Sequence, residues 1–216
     1  MKNYCTITTT RGDRPELFQY CIKQLDKMAG NNPLLNAYII NHTPKSDSVD
    51  LVLRVKQGYN MAKRDGFEYV FIIEDDDYYP ENYFELFGDF WNYDFVGYSD
   101  TVYYNLRNKT HQTFVHKERA SLFCTGFKVS ALEKFNWPND NYTFLDIRLW
   151  EYANMSGKSI KLLPNNPCLG IKHGIGKTGG KAHGMVLQNC DKDISYLRSR
   201  VDAEAFEFYK DFMDKL

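Results

Sequence analysis

No apolar run in the 216-residue sequence approaches the ~20 residues that a membrane-crossing helix needs, so no transmembrane segment is expected. The opening, Met1-Lys-Asn-Tyr-Cys-Thr, has no apolar signal-peptide core and enters a strand-like run directly. Cysteine is sparse: Cys5, Cys21, Cys124, Cys168 and Cys190 form no C-x-x-C pair. Their odd number and mostly apolar contexts argue against a zinc site or a disulfide frame, and for buried free thiols in a reducing compartment. A soluble, cytoplasmic protein is the expectation. Charge of one sign is also missing. A net charge of −1 leaves no global field to draw the chain to nucleic acid or anionic lipid. No internal repeat, low-complexity tract or linker is present, and the length suits one domain over residues 1–216.

Aromatic residues, by contrast, are abundant, with 16 Tyr and 15 Phe. Such side chains line sites that stack on sugars or bases, although core packing accounts for most of them. The most informative stretch is Tyr69-Val-Phe-Ile-Ile-Glu-Asp-Asp-Asp-Tyr-Tyr-Pro80. Tyr69 to Ile73 reads as a strand buried on both faces, as in a parallel sheet. It runs straight into Glu74, Asp75, Asp76 and Asp77. Adjacent carboxylates raise one another's pKa and call for a compensating cation, and hard oxygen ligands at this density suit Mg²⁺, Mn²⁺ or Ca²⁺. A solvated acidic turn capping a helix from Pro80 to Trp91 is the plainer alternative. The position after an apolar strand favours a ligand site, because open α/β sheets bind at the carboxyl ends of their strands.

Taken in order, Tyr4 to Thr10 reads as a strand and Pro15 to about Met28 as a helix with an apolar stripe at Leu17, Phe18, Cys21, Ile22 and Leu25. Asn36 to Asn41 is a second strand, Leu51 to Arg54 a short one, and Gln57 to Asp65 a helix stopped by Gly66. That alternation predicts a mostly parallel sheet flanked by helices. Phe95 to Ser99, Thr101 to Leu106, Thr113 to His116 and Ser121 to Phe127 form a small β-rich part. A helix from Asp146 to Met155 and a strand from Ser159 to Leu163 follow. A Gly/His/Lys loop over Lys172 to Gly184 and an amphipathic helix from about Asp191 to Leu216 complete the chain.

The segment from Gly58 through Asp77, with Pro80 behind it, resembles the centre of a GT-A nucleotide-sugar glycosyltransferase of the family 2 type. The opening strand ending in Thr-Thr-Arg, and a helix entered through Pro15-Glu16, are similar to that family's N-terminus. The resemblance implies a GT-A (Rossmann-like) α/β fold. It also implies a hexosyl- or pentosyltransferase that uses a nucleotide-diphospho-sugar donor with Mn²⁺ or Mg²⁺. In its D-x-D motif the acids touch the ribose and hold the metal under the diphosphate. Here both Glu74-x-Asp76 and Asp75-x-Asp77 fit the spacing. The reading places Asp75 on the ribose side and draws the metal ligands from Asp75, Asp76 and Asp77, completed by His173.

The first-strand exit, with Thr8, Thr9, Thr10, Arg11 and Arg14, lies where the family holds base and phosphates, and Arg can pair with phosphate through two donors at once. Lys63 and Arg64 precede the acidic strand where the family has a basic residue near the phosphates. Asp146, in Thr143-Phe-Leu-Asp146, resembles the family's general base, which takes the acceptor's proton in an inverting transfer; Asp140 is the reserve. The loop from Lys172 combines glycines, lysines, His173 and His183 as a phosphate-facing lid, and Lys172 is a donor-binding candidate. Candidate acceptors are glycans, lipid-linked sugars and proteins, or a modified DNA base. The last is compatible with Lys172, Lys177, Lys181, Arg198 and Arg200. The same acids would also serve a nucleotidyltransferase, a phosphohydrolase or a non-catalytic nucleotide- or sugar-binding domain.

Overall fold

β1 (Tyr4–Thr10) is buried along its whole length, because it has a parallel neighbour on each side. These neighbours are β2 (Asn36–Asn41) and β3 (Tyr69–Glu74), and in the computed structural model the chain reaches them through α1 (Pro15–Asn31) and α2 (Leu51–Arg64). The structure describes residues 3–31, 36–41, 50–139, 144–176 and 187–216. Beyond β3 the sheet continues with β7 (Thr125–Lys128), which is antiparallel, then β4 (Phe95–Tyr98) and β8 (Ile160–Leu163), in the order β2-β1-β3-β7-β4-β8. A second sheet has the order β10-β6-β5-β9, made by Asn189–Cys190, Thr110–Val115, Asp100–Asn105 and Gly170–Lys172 respectively. The helices α3 (Leu145–Met155), α4 (Ser195–Arg200) and α5 (Ala203–Met213) follow. The expected mixed α/β class, with its mostly parallel sheet and small β-rich part, is what the chain adopts.

Chain order reverses about β1, with β2 on one side and β3 on the other. That makes the β1/β3 crevice the switch point at which an open α/β sheet binds ligands. Gly58 lets α2 sit close to β1: a Cβ there would lie 2.5 Å from the Ile7 side chain.

Several segments depart from the sequence expectation for identifiable reasons. Leu51 to Arg54 is the first turn of α2, not a strand, since Val52, Val55, Tyr59 and Ala62 form a buried helical stripe. No continuous helix spans Pro80 to Trp91. That segment forms turns with two 3-10 turns, Glu85–Phe87 and Phe90–Asn92, separated by Gly88 at φ 57°. Tyr83, Phe84, Phe87 and Phe90 all pack around Phe71, with ring centroids 5.0–6.2 Å apart, and aromatic burial there outweighs helical continuity. The C-terminal helix is two helices, because Val201 is extended and Asp202 caps α5 by accepting from the Ala205 N–H at 2.8 Å. All five cysteines are free, but Cys190 is exposed instead of buried.

Candidate active site

β3 delivers the acids to the carboxyl edge of the sheet, and the turn after it draws them inward: Asp75, Asp76 and Asp77 are buried and Glu74 is half-buried. A buried acidic turn needs its backbone satisfied, and Tyr79 within the turn does this together with the distant Gln24 and Leu169. The Glu74 N–H donates to the Tyr79 hydroxyl at 2.9 Å, and the Tyr79 N–H donates to Gln24 Oε1 at 2.7 Å. Gln24 Nε2 returns a bond to the Asp77 carbonyl at 3.0 Å. On the other side, Tyr78 pairs with Leu169, and the Ile171 N–H donates to Asp77 Oδ1 at 2.7 Å. This pairing carries β9 alongside the acids and brings Lys172 and His173 to them.

Three of the carboxylates, Glu74, Asp76 and Asp77, can each present an oxygen within 4.8 Å of the others. Asp77 Oδ2 is buried without a hydrogen-bond partner. An all-oxygen, partly unsatisfied set of this kind fits Mg²⁺ or Mn²⁺. Asp75 turns instead toward Arg14, whose Nη2 lies 2.5 Å from Asp75 Oδ1, so Glu74 takes the third place in the group. Arg14 also donates to Asp76 through Nη1, and His173 Nε2 lies 3.0 Å from the same Asp76 oxygen. His173 Nδ1 accepts the Ile175 N–H at 3.0 Å, which leaves the proton of a neutral ring on Nε2.

Charge crowding divides the acids. Burial, reinforced by the Asp76 charge, pushes Glu74 up to about 7 and Asp75 up to about 6, and holds Asp77 well above the usual carboxylate range. Burial pushes Asp76 upward too, but Arg14 and the His173 hydrogen bond overcome it and keep Asp76 well below that range. Lys172 lies 4.4 Å over the Tyr103 ring and faces Asp77, Asp76 and Glu74; their charges, with Tyr103, raise its pKa against the effect of burial.

The raised carboxyls set a sign for stability. Between the ordinary carboxylate range and about 7, the folded metal-free chain keeps protons that the unfolded chain has released, so its stability falls as pH rises through that window. In EDTA the melting temperature is expected to be roughly 5 °C lower near pH 7.5 than near pH 5, and Mn²⁺ should remove the difference. Calorimetry showing a flat profile in EDTA would contradict the assignment.

Asp146 sits in the first turn of α3, half-buried, with Arg119 Nη1 donating to its Oδ2 at 2.5 Å. Burial raises its pKa and Arg119 opposes the rise. The Asp146 charge is the smallest of the causes that shift Glu74. Thr10 accepts the Gly12 N–H at 3.3 Å and hydrogen-bonds Asp75, while the buried Thr8 hydroxyl has no partner. Thr9, between them, is buried as well. Arg11 is drawn to Asp50 at 2.7 Å. The buried Arg54 holds Asp50 in turn and donates to the Thr10 and Ile40 carbonyls, joining the exits of β1 and β2.

Lys63 does not reach this site. It lies at the opposite edge of the sheet, 3.6 Å from Glu133, on a cavity of about 540 Å³ that Tyr69 and Trp91 also line. Arg198 stacks over Phe206 at 4.3 Å and Arg200 donates to the Asn166 carbonyl at 2.6 Å, so both basic residues are engaged within the chain. Asp140, Lys177, Lys181 and His183 lie outside the described residues.

No protein-family model matches the sequence, and no curated protein matches it. Among solved structures, the chain is similar to residues 1–349 of S. aureus TarS in complex with UDP-GlcNAc, at 11% identity and a TM-score of 0.52. The match covers 79% of this chain and 58% of that one. This chain has the GT-A glycosyltransferase fold. A glycosyltransferase involved in glycosylation of the major capsid of PBCV-1 also matches, at 10% identity over 76% of this chain and 82% of that one, with a TM-score of 0.48. A197 from STIV matches at 14% identity over 75% and 82%, again with a TM-score of 0.48. No described helix is long and apolar enough to cross a membrane.

Within this GT-A fold, Gln24, Tyr79 and Arg119 are site residues that the sequence did not single out. Gln24 is the most consequential, because its one amide closes the turn that aims the acids. Gln24→Ala is expected to weaken Mn²⁺ affinity by about 10–100-fold, the usual cost of losing outer-shell support. Isothermal titration with Mn²⁺ checks this, and an unchanged affinity would reduce Gln24 to a packing role.

Proposed function

We propose that the chain is a metal-dependent glycosyltransferase that moves a sugar, hexosyl or pentosyl, from a nucleotide-diphospho-sugar to an acceptor hydroxyl with inversion. One observation carries the reading: at the carboxyl edge of this sheet Glu74, Asp76 and Asp77 can bring three carboxylate oxygens within 4.8 Å of one another. The UDP-GlcNAc complex of TarS supports a nucleotide-sugar donor. Glu74, Asp76 and Asp77 would hold Mn²⁺ or Mg²⁺, whose chemistry there is to neutralise charge developing on the diphosphate leaving group.

The remaining steps belong to this chain's own side chains. Asp75 and the Thr10 hydroxyl meet the donor's ribose, while Thr8 and Thr9 line the β1 exit beneath it. Lys172 adds positive charge beside the acids, and His173 fixes Asp76 through Nε2, both of its ring nitrogens being engaged within the chain. Asp146, ionised and oriented by Arg119, accepts the acceptor hydroxyl's proton as that oxygen attacks the anomeric carbon. A half-buried carboxyl with a raised pKa is a stronger base than an exposed one. Arg198 and Arg200 are engaged within the chain, which weighs against these two as contacts for a DNA-base acceptor. The free thiols support a reducing, cytoplasmic setting.

A thermal-shift screen of nucleotide sugars tests the donor assignment. At least one is expected to raise the melting temperature in Mn²⁺ and to lose its effect in EDTA. Stabilisation that is equal in EDTA would separate donor binding from the acids.

A further inference from the structure

Arg14 is bonded to two of the acids at once. Its Nη2 holds Asp75 and its Nη1 holds Asp76, although Asp76 also belongs to the set that can grip a cation. The Asp76 oxygen it uses is the one His173 approaches, so the oxygen is already shared. The guanidinium is itself nine-tenths buried, with Nε lacking any hydrogen-bond partner. A divalent cation that takes this Asp76 oxygen together with Glu74 and Asp77 therefore competes with Arg14 for it. Displaced from Asp76, the guanidinium keeps Asp75 through Nη2, with Asp13 3.8 Å from Nε, but its buried Nη1 loses a charged partner, and a second anion restores it. Its planar fork matches phosphate oxygens as well as carboxylates.

We infer that Arg14 is an exchangeable counter-charge: a divalent cation displaces it from Asp76, and the freed fork then takes the donor diphosphate. Metal and donor binding are thereby coupled through one side chain. The inference rests on the metal reading given under Proposed function.

Isothermal titration of Mn²⁺ alone into the wild type, Arg14→Gln and Arg14→Lys tests the first half. Both variants are expected to bind Mn²⁺ roughly tenfold more tightly than the wild type, within the 5–150-fold range of ordinary site coupling. Lysine keeps the charge but cannot bridge two carboxylates, so it separates competition from a simple field effect. If Arg14→Lys matches the wild type while Arg14→Gln binds more tightly, charge alone is at work and the inference is overturned. Equal or weaker binding by both variants overturns it too. If no protein binds Mn²⁺, the metal reading itself fails and this inference falls with it. Inorganic pyrophosphate titrated into Mn²⁺-loaded protein reads the second half: Arg14→Gln is expected to bind it at least about tenfold more weakly. Equal pyrophosphate binding would remove Arg14 from the diphosphate.

Discussion

Asp77→Asn is expected to weaken Mn²⁺ binding by about 100-fold or more and to abolish metal-dependent donor binding, with the fold intact. The local geometry makes this substitution clean. Asp77 Oδ1 accepts the Ile171 N–H at 2.7 Å, and the amide oxygen of asparagine can keep that bond. The other oxygen, buried and without a hydrogen-bond partner, becomes an N–H₂ group that cannot coordinate a cation. The loss should exceed the 10–100-fold typical of disturbing an outer-shell residue, since here a ligand and its charge disappear together. Removing a crowded carboxyl also relieves repulsion from Asp76 and Glu74, so the melting temperature in EDTA should stay the same or rise. Calorimetry in EDTA and Mn²⁺ titration separate the two effects. Undiminished Mn²⁺ affinity would take Asp77 out of the metal site.

Asp146→Asn is expected to lower the transfer rate by about 10²–10⁴-fold while leaving donor affinity unchanged, the usual range for removing a general base. Asparagine keeps the shape and an oxygen for Arg119, which bonds Asp146 Oδ2 at 2.5 Å, but loses the basic lone pair. The wild-type pH profile supplies an independent check. Only the ionised carboxylate accepts a proton, so the rate should fall as pH drops through the Asp146 pKa. That limb should lie above the ordinary carboxylate range, because burial raises the group. Arg119 opposes the rise, so Arg119→Gln should move the acid limb to higher pH. An acid limb unaffected by either substitution would return Asp146 to a helix-start role and assign the base elsewhere.

The acidic edge was legible because β3 is apolar to its end and the carboxylates follow without a spacer, a change that local sequence displays directly. Which carboxylates share a cation was not legible. Consecutive side chains at a strand end face different ways, and their aim depends on Gln24, Tyr79 and Ile171, of which Gln24 and Ile171 are far away in the chain. Lys63 misled for a related reason. A helix joining two parallel strands runs back across the sheet, so its last residues lie at the start of β3 and far from the acids in space, however near in sequence. The pairing of Arg119 with Asp146 likewise depends on a tertiary contact that no local spacing encodes. The helix expected after Pro80 failed because Gly88 and the packing on Phe71 override local propensity.

The most direct test of the central claim is the identity of the leaving product. The wild type is incubated with a panel of nucleotide sugars, an acceptor-glycan mixture and Mn²⁺, and the phosphorus-containing product is read by ³¹P NMR. Release of the nucleoside diphosphate, abolished by EDTA and by Asp77→Asn, is the expected result. Release of a sugar 1-phosphate, by attack at the α-phosphorus, would instead identify nucleotidyl transfer or diphosphate hydrolysis built on the same acids, and would contradict glycosyl transfer.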